Sequence, residues 1–230
     1  DTIKKIEERH DELLKKHPEF KNYCPAILHY DESFLEFCKN EIILNYVEQI
    51  LGSDFALWNS SFFAKPANNG HATPWHQDGQ YWPIRPLATC TVWLAIDDAK
   101  VENGCLRFIK GSHKEKKLKS HNINDNKNLT LNQELDESEY NEKDAVNLTL
   151  KRGQISLHDV YLVHGSEANN SSMARRAVTM RFMPTSSVFD HQMVKDKNLF
   201  SKLNASKYQD RKIYHMRGID ISEKNNLTYI

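Results

Sequence analysis

The chain has no run of about 18 apolar residues, so nothing in it predicts a membrane span. It has no surplus of either charge, because 31 Lys and Arg offset 31 Asp and Glu. A general polyanion binder needs a basic surplus on at least one face, so nucleic acid is not an expected partner. No G-x-G-x-x-G or phosphate-loop sequence occurs, which leaves a nucleotide-binding α/β fold without support. The four cysteines, Cys24, Cys38, Cys90 and Cys105, make no C-x-x-C pair. Their spacing suits neither a zinc knuckle nor a dense disulfide framework, and reduced, buried thiols are expected. No charged-then-apolar leader follows Asp1, and a cytoplasmic location is the matching expectation.

What the sequence does contain is a sizeable core: 39% of its 230 residues are hydrophobic and 10% aromatic. Residues 1–17 pattern as a charged amphipathic helix with Ile3, Ile6, Leu13 and Leu14 on one stripe. Residues 31–51 predict a second helix, with Phe34, Phe37, Ile42, Ile43, Tyr46, Val47 and Ile50 at helical spacing and Gly52 as its stop. After Gly52 the texture turns to short apolar runs: FALWNSSFFA, TCTVWLAI (89–96), CLRFI (105–109), QISLHDVYLVHG (154–165) and RRAVTMRFMP (175–184). Short strands broken by turn signals predict an antiparallel sandwich or barrel. The 114–151 stretch is polar, rich in Asn, Lys and Glu, and too long for an ordinary loop. It is expected to be an insertion and, from its attachment beside site-bearing strands, a mobile lid. The tail after Ser186 is polar as well.

The chemistry concentrates in PWHQDGQYWP (74–83). On an extended chain His76 and Asp78 point to the same side while Gln77 points away. A third candidate ligand, His164, ends the run YLVHGS, and Arg175 follows eleven residues later. Two imidazoles and one carboxylate on one face of an ion form the facial triad of non-haem Fe(II) oxygenases, with open positions for a bidentate cosubstrate and O2. If that cosubstrate is 2-oxoglutarate, its far carboxylate needs a cation, and the planar fork of an arginine suits it.

HQDGQYWPIRP, VENGCLRFIKGSH and HGSEANNSSMARR, in that order, resemble the phytanoyl-CoA dioxygenase-like family of Fe(II)/2-oxoglutarate oxygenases over about residues 57–184. The resemblance implies a double-stranded β-helix, an eight-stranded jelly roll of the cupin-like kind, flanked by N-terminal helices. No internal repeat or domain boundary is visible, so one domain is expected, with a helical flank at 1–52, a core at 53–185 carrying the 114–151 insertion, and an extension at 186–230. It assigns His76, Asp78 and His164 to iron, Arg175 and Ser166 to the distal carboxylate of 2-oxoglutarate, and Trp93 to the wall beside that cosubstrate. Tyr81, Trp82, Lys65 and Arg85 are candidate substrate contacts. Asp78 occupies a position that is small in related halogenases, so hydroxylation is expected. The chain ends Thr228-Tyr229-Ile230, without a peroxisomal tripeptide, which favours a small polar or zwitterionic metabolite as substrate. His158 is expected in the core or behind the ligands, His113 in a structural turn, and His71, His121, His191 and His215 in solvent. The competing reading is a non-enzymatic jelly roll that binds a small ligand and retains the site.

Overall fold

The computed structural model describes residues 1–192 and 210–230, apart from the side chain of Tyr81. Four helices come first: α1 (Thr2–Lys16), α2 (Ile27–Tyr30), α3 (Leu35–Cys38) and α4 (Glu41–Leu51). Asp1 caps α1 by accepting from the Ile3 N–H. The continuous helix predicted for 31–51 is interrupted at Asn40. The Asn40 carboxamide oxygen accepts from Ile42 and Ile43 N–H at 3.1 and 3.3 Å, starting α4 afresh. Asparagine is a strong N-cap and a weak interior residue, so the break is written into the chain at that point. The break also re-aims the apolar stripe. Ile43, Leu44 and Val47 are buried, while Ile42, Tyr46 and Ile50 remain 67%, 49% and 58% exposed.

The strands of the first half are β1 (Tyr23–Cys24), β2 (Phe55–Lys65), β3 (Thr73–His76), β4 (Ile84–Arg85), β5 (Cys90–Ala95) and β6 (Leu106–Ile109). Those of the middle are β7 (His121–Ile123), β8 (Gln133–Leu135), β9 (Ala145–Leu148), β10 (Ile155–Asp159) and β11 (His164–Ser166). The rest are β12 (Arg175–Pro184), β13 (Val188–Phe189), β14 (Ile213–Arg217) and β15 (Leu227–Thr228). The larger sheet has the order β10-β5-β12-β2-β14-β15, with β1 also paired to β2. The smaller runs β3-β11-β6-β9. The protein is therefore mainly β, a double-stranded β-helix with its helices at the N-terminal side, as the resemblance implies.

Strand parity explains where the core sits. Successive side chains of a strand point to opposite faces. Cys90, Val92, Leu94, Val178, Met180 and Phe182 turn outward and pack with Ile6 and Leu13 of α1 and Ile43, Leu44 and Val47 of α4. Each fully buried large apolar side chain there contributes roughly 1.5–3 kcal/mol. A register shift between Arg181 and Phe182, opposite Asn59 and Leu57, inserts one extra β2 residue and swaps parity along that strand. Leu57 and Phe62 consequently both reach the helical side. Arg176 binds Asp97 through Nε and Nη2, each at 2.9 Å, and Glu7 through Nη2 at 2.6 Å, fastening α1 to the sheet.

Two polar stretches are more structured than their composition suggests. In 114–151, β7 pairs with β8, β9 pairs with β6 in the smaller sheet, and Leu135 is buried against Trp75 and Val163. In the tail, β13 pairs with β4 and β14 with β2, and Ile213 and Tyr214 are buried. A few apolar residues at strand spacing suffice to recruit an otherwise polar segment once a sheet edge is waiting. QISLHDVYLVHG resolves into β10 and β11, which belong to different sheets. All four cysteines are buried and unpaired, and burial pushes the Cys24, Cys38 and Cys90 thiols up to about 12.

Candidate active site

β3 ends at His76, and a single 3₁₀ turn, Asp78–Tyr81, begins two residues later. His164 opens β11 and is the direct cross-strand partner of His76. The two sequence-distant histidines are thus brought together by sheet register, their ring centroids 4.2 Å apart. Asp78 Oδ1 lies 3.5 Å from His76 Nε2 and 4.0 Å from His164 Nε2. All three ligand-type atoms fall within 4.8 Å of one another, and all three residues are buried. His76 Nδ1 donates to Pro74 O at 2.8 Å, and His164 Nδ1 donates to Leu162 O at 2.9 Å. A carbonyl only accepts, so both rings carry their proton on Nδ1 and present the Nε2 lone pair to the shared point. That is the tautomer a metal ligand needs.

Burial drives the pKa of His164 well below the histidine range, and the neighbouring His76 adds to the effect. For Asp78, burial pushes upward. Contacts with His158 and His76 and the fields of His164 and Arg181 outweigh it, holding the carboxyl well below the carboxylate range. Two Nε2 atoms beside an ionised carboxylate, in a buried setting, make a site that suits a cation. His158, from β10, stands 3.5 Å from Asp78 Oδ2, and Thr91 donates to the same oxygen at 3.4 Å.

A narrow cavity runs from the triad between the two sheets, lined among others by Phe63, Trp93, Ser166, Arg175, Thr179 and Arg181. Arg175 is buried; its Nε donates to Gly104 O at 3.1 Å and its Nη1 to Phe63 O at 3.3 Å. Its guanidinium carbon is 5.4 Å from the Trp93 ring, and burial pulls its pKa down to about 10. Gly104 sits at φ +78°, and a Cβ there would meet Glu167 O at 2.5 Å, so only glycine can offer its carbonyl to Arg175 in this way. Ser166 Oγ is buried near this end without a hydrogen-bond partner. The Asn169 carboxamide ties Lys65 O, Pro66 O and Met173 O together, and so sets the path between His164 and Arg175.

The candidate substrate contacts divide. Lys65 is buried beside Arg175 as its cross-strand partner and donates to His71 O, but it is not among the residues that line the cavity. Burial, then the Arg175 charge, draws its pKa well below the lysine range. Trp82 is buried against Trp58 and under the Arg181 guanidinium. Arg85 is exposed on β4, donating to Trp82 O and Ile84 O, and does not line the cavity. The Tyr81 side chain lies outside the described residues.

His121 was expected in solvent and is instead half-buried against the site. Its Nδ1 donates to Lys119 O, and its Nε2 accepts the Gln77 backbone N–H at 2.9 Å. The Gln77 side chain donates to Tyr161 O and Lys117 O and accepts from the Lys119 N–H. The residue between two metal-type ligands is therefore clamped by the 114–151 segment. His121 repeats in structure the Nδ1 bond of His76 and His164 to the carbonyl two residues back, but nothing in its polar sequence surroundings marks the role. His71, His191 and His215 are likewise half-buried, with His191 and His215 each bonded to a backbone carbonyl.

The family profile of phytanoyl-CoA dioxygenase (PhyH) matches residues 5–177. The chain belongs to that family. It is 30% identical over 173 residues to a phytanoyl-CoA dioxygenase domain-containing protein 1 homolog of Dictyostelium discoideum, covering 74% of this chain and 62% of the relative. It is 31% identical over 162 residues to the human peroxisomal phytanoyl-CoA dioxygenase, covering 66% of this chain and 46% of that one. The chain thus spans between about half and two-thirds of the length of these relatives. Among solved structures, the carbocyclase SnoK of nogalamycin biosynthesis aligns with a TM-score of 0.67 at 19% identity, over 87% of this chain and 81% of its own. The nickel complex of the non-heme monooxygenase ThoJ aligns at 0.63 and 21%, over 90% of this chain and 68% of its own. Both share the fold. Among the described residues no helix is long and apolar enough to cross a membrane.

Proposed function

We propose that the chain is an Fe(II)- and 2-oxoglutarate-dependent dioxygenase that hydroxylates an unactivated C–H bond of a small metabolite, releasing succinate and CO2. The helices, the jelly roll and the C-terminal extension are read as one oxygenase domain. The observation that carries the reading is the convergence of His76 Nε2, Asp78 Oδ1 and His164 Nε2, with both imidazole protons committed to carbonyls. Two nitrogens and one carboxylate oxygen, with the cavity on their open side, fit Fe(II) better than a closed four-ligand zinc site.

His76, Asp78 and His164 would hold the iron, and Arg175 with Ser166 would receive the distal carboxylate of 2-oxoglutarate. The buried Ser166 hydroxyl has no partner until such a group arrives, which is the fit expected of a built site. Iron and 2-oxoglutarate, when bound, supply the oxidising power drawn from O2. The protein's own part is orientation and exclusion. Gln77, clamped on three backbone groups through its side chain, fixes the angle between His76 and Asp78. Trp93 forms a flat wall under Arg175 and keeps bulk water from that charge. Asp78 fills the third ligand position, which favours hydroxyl transfer over halide transfer. The 114–151 segment is proposed to cover the site as a lid.

Substrate-dependent succinate formation from 2-oxoglutarate, screened across a metabolite library with Fe(II) present, tests the reading. Turnover that is lost in His76→Ala supports it. Turnover that survives without iron, or a library-wide absence of 2-oxoglutarate consumption, overturns it.

A further inference from the structure

The cavity holds two buried arginines, and the proposed cosubstrate uses only one. Arg181 is 5% exposed and lies six residues beyond Arg175 on β12, on the same inward face. Its Nη1 donates to Ser61 Oγ at 2.6 Å, while its Nε is buried with no hydrogen-bond partner. Ser61 Oγ in turn donates to Pro25 O at 2.8 Å, so the hydroxyl is a fixed prop rather than a counter-charge. The guanidinium carbon lies 5.3 Å from the Trp82 ring and 5.9 Å from the Phe63 ring. These faces hold its plane, and the residue lines the cavity with its Nε unpaired.

Among the described residues no carboxylate forms an ion pair with Arg181. A buried permanent cation without a partner is costly, and folds that keep one generally have a use for it. Its nearest acidic influence is Asp78, whose carboxylate is already committed to the triad. Arg175 is bound to Gly104 O and Phe63 O, whereas it is the Arg181 charge that Asp78 feels, as expected if Arg181 is the arginine nearer to the metal ligands. Iron and 2-oxoglutarate would cancel one another's charge and Asp78 would offset one arginine. One positive charge would remain beside the reacting centre.

We propose that Arg181, propped by Ser61 and walled by Trp82 and Phe63, is a second anion site that binds a carboxylate of the substrate. The planar fork of a guanidinium pairs with a planar carboxylate, and a single cation in a narrow aromatic slot suits that group better than a tetrahedral dianion. The substrate class is then a small carboxylic acid, oriented by its carboxylate so that a carbon near the other end faces the iron. The assignment rests on the oxygenase reading for its meaning but not for its test.

The probe is sodium acetate against acetamide at matched ionic strength. Melting temperature is measured with Ni(II) as an inert metal, with and without 2-oxoglutarate, for wild type, Arg181→Gln and Arg181→Lys. Circular dichroism checks that each variant is folded. Acetate should stabilise the wild type where acetamide does not, and Arg181→Gln should weaken the acetate response about ten- to a hundred-fold in midpoint while leaving the 2-oxoglutarate response intact. Arg181→Lys should retain part of the acetate response. Equal acetate responses in wild type and Arg181→Gln, or none in either, overturn the assignment. So does loss of the 2-oxoglutarate response in Arg181→Gln, which would make this arginine the cosubstrate's partner. A wild type without any 2-oxoglutarate response would overturn the oxygenase reading instead, and the acetate comparison would still be decided on its own.

Discussion

Val92 and Trp93 are neighbours in β5, and Met180 and Arg181 are neighbours in β12, yet each pair is divided between two environments. Val92 and Met180 face the helices in a cluster of aliphatic and aromatic side chains. Trp93 and Arg181 face a cavity of histidines, hydroxyls and guanidinium groups. The outer face is apolar almost throughout: its residues bury one another, and His10, stacked on Phe62, is its polar exception. The inner face is left incomplete, with Ser166 Oγ and Arg181 Nε buried and without a hydrogen-bond partner. One face stabilises the sheet, and the other uses that stability to hold groups that would not stay together alone. Substitutions on the two faces should therefore separate stability from ligand binding.

The largest effect belongs to the inner face. His164→Ala should abolish iron retention and turnover together, a loss far beyond the roughly 10- to 100-fold typical of removing a supporting hydrogen bond. Metal analysis after dialysis, paired with an activity assay, checks it; a His164→Ala protein that keeps its iron would remove this residue from the triad. On the outer face, Phe182→Ala should cost roughly 3–5 kcal/mol of unfolding free energy. Its affinity for 2-oxoglutarate below the melting transition should be unchanged, and a weakened affinity would show that the faces are coupled.

Arg175→Ala should raise the 2-oxoglutarate requirement about 30- to 1,000-fold, corresponding to roughly 2–4 kcal/mol, and change the iron requirement much less. Isothermal titration with each component separates the two. His10 supplies a pH test of the outer face. It is buried without a hydrogen bond, stacked 3.8 Å from Phe62, and burial lowers its pKa to about 4 from an ordinary 6.5. Between those values the unfolded chain binds more protons than the folded one. The contribution is thus fully present above about pH 6.5 and is lost as pH falls toward about 4, by roughly 3 kcal/mol in all. His10→Phe should flatten that part of the stability profile measured by urea unfolding, and an unchanged acid slope would show that His10 does not cause it. The smallest effect is expected of His121→Phe, which removes the acceptor for the Gln77 N–H. Iron affinity should fall by about ten-fold, at the low end for a residue behind the ligands.

The difference between the faces also decides how much could be read from the chain. His76 and Asp78 are two residues apart, so extended geometry alone aligns them. His164 and Arg175 sit at the ends of apolar runs, where strands deliver side chains to a cavity. Parity separates Val92 from Trp93 without a structure. Asn40 is a strong N-cap residue, but the apolar periodicity on both sides of it predicts one continuous helix. The His121 clamp was not legible, because it depends on a polar segment returning to Gln77 from 44 residues away. Nor was the isolation of Arg181, since an ion pair's absence is a property of everything packed around it. The strands of the C-terminal tail are not marked in the sequence because Ile213, Tyr214 and Met216 are scattered in a polar stretch, and the edge of β2 does the recruiting.

The most direct test of the central claim is an anaerobic titration of the protein with 2-oxoglutarate, with and without Fe(II), followed by visible absorption. A weak band that appears only when both are present, saturates with equimolar iron, vanishes in His164→Ala and shifts to higher 2-oxoglutarate concentration in Arg175→Ala is the predicted result. Binding of 2-oxoglutarate that ignores iron, or a band unchanged in His164→Ala, would contradict it.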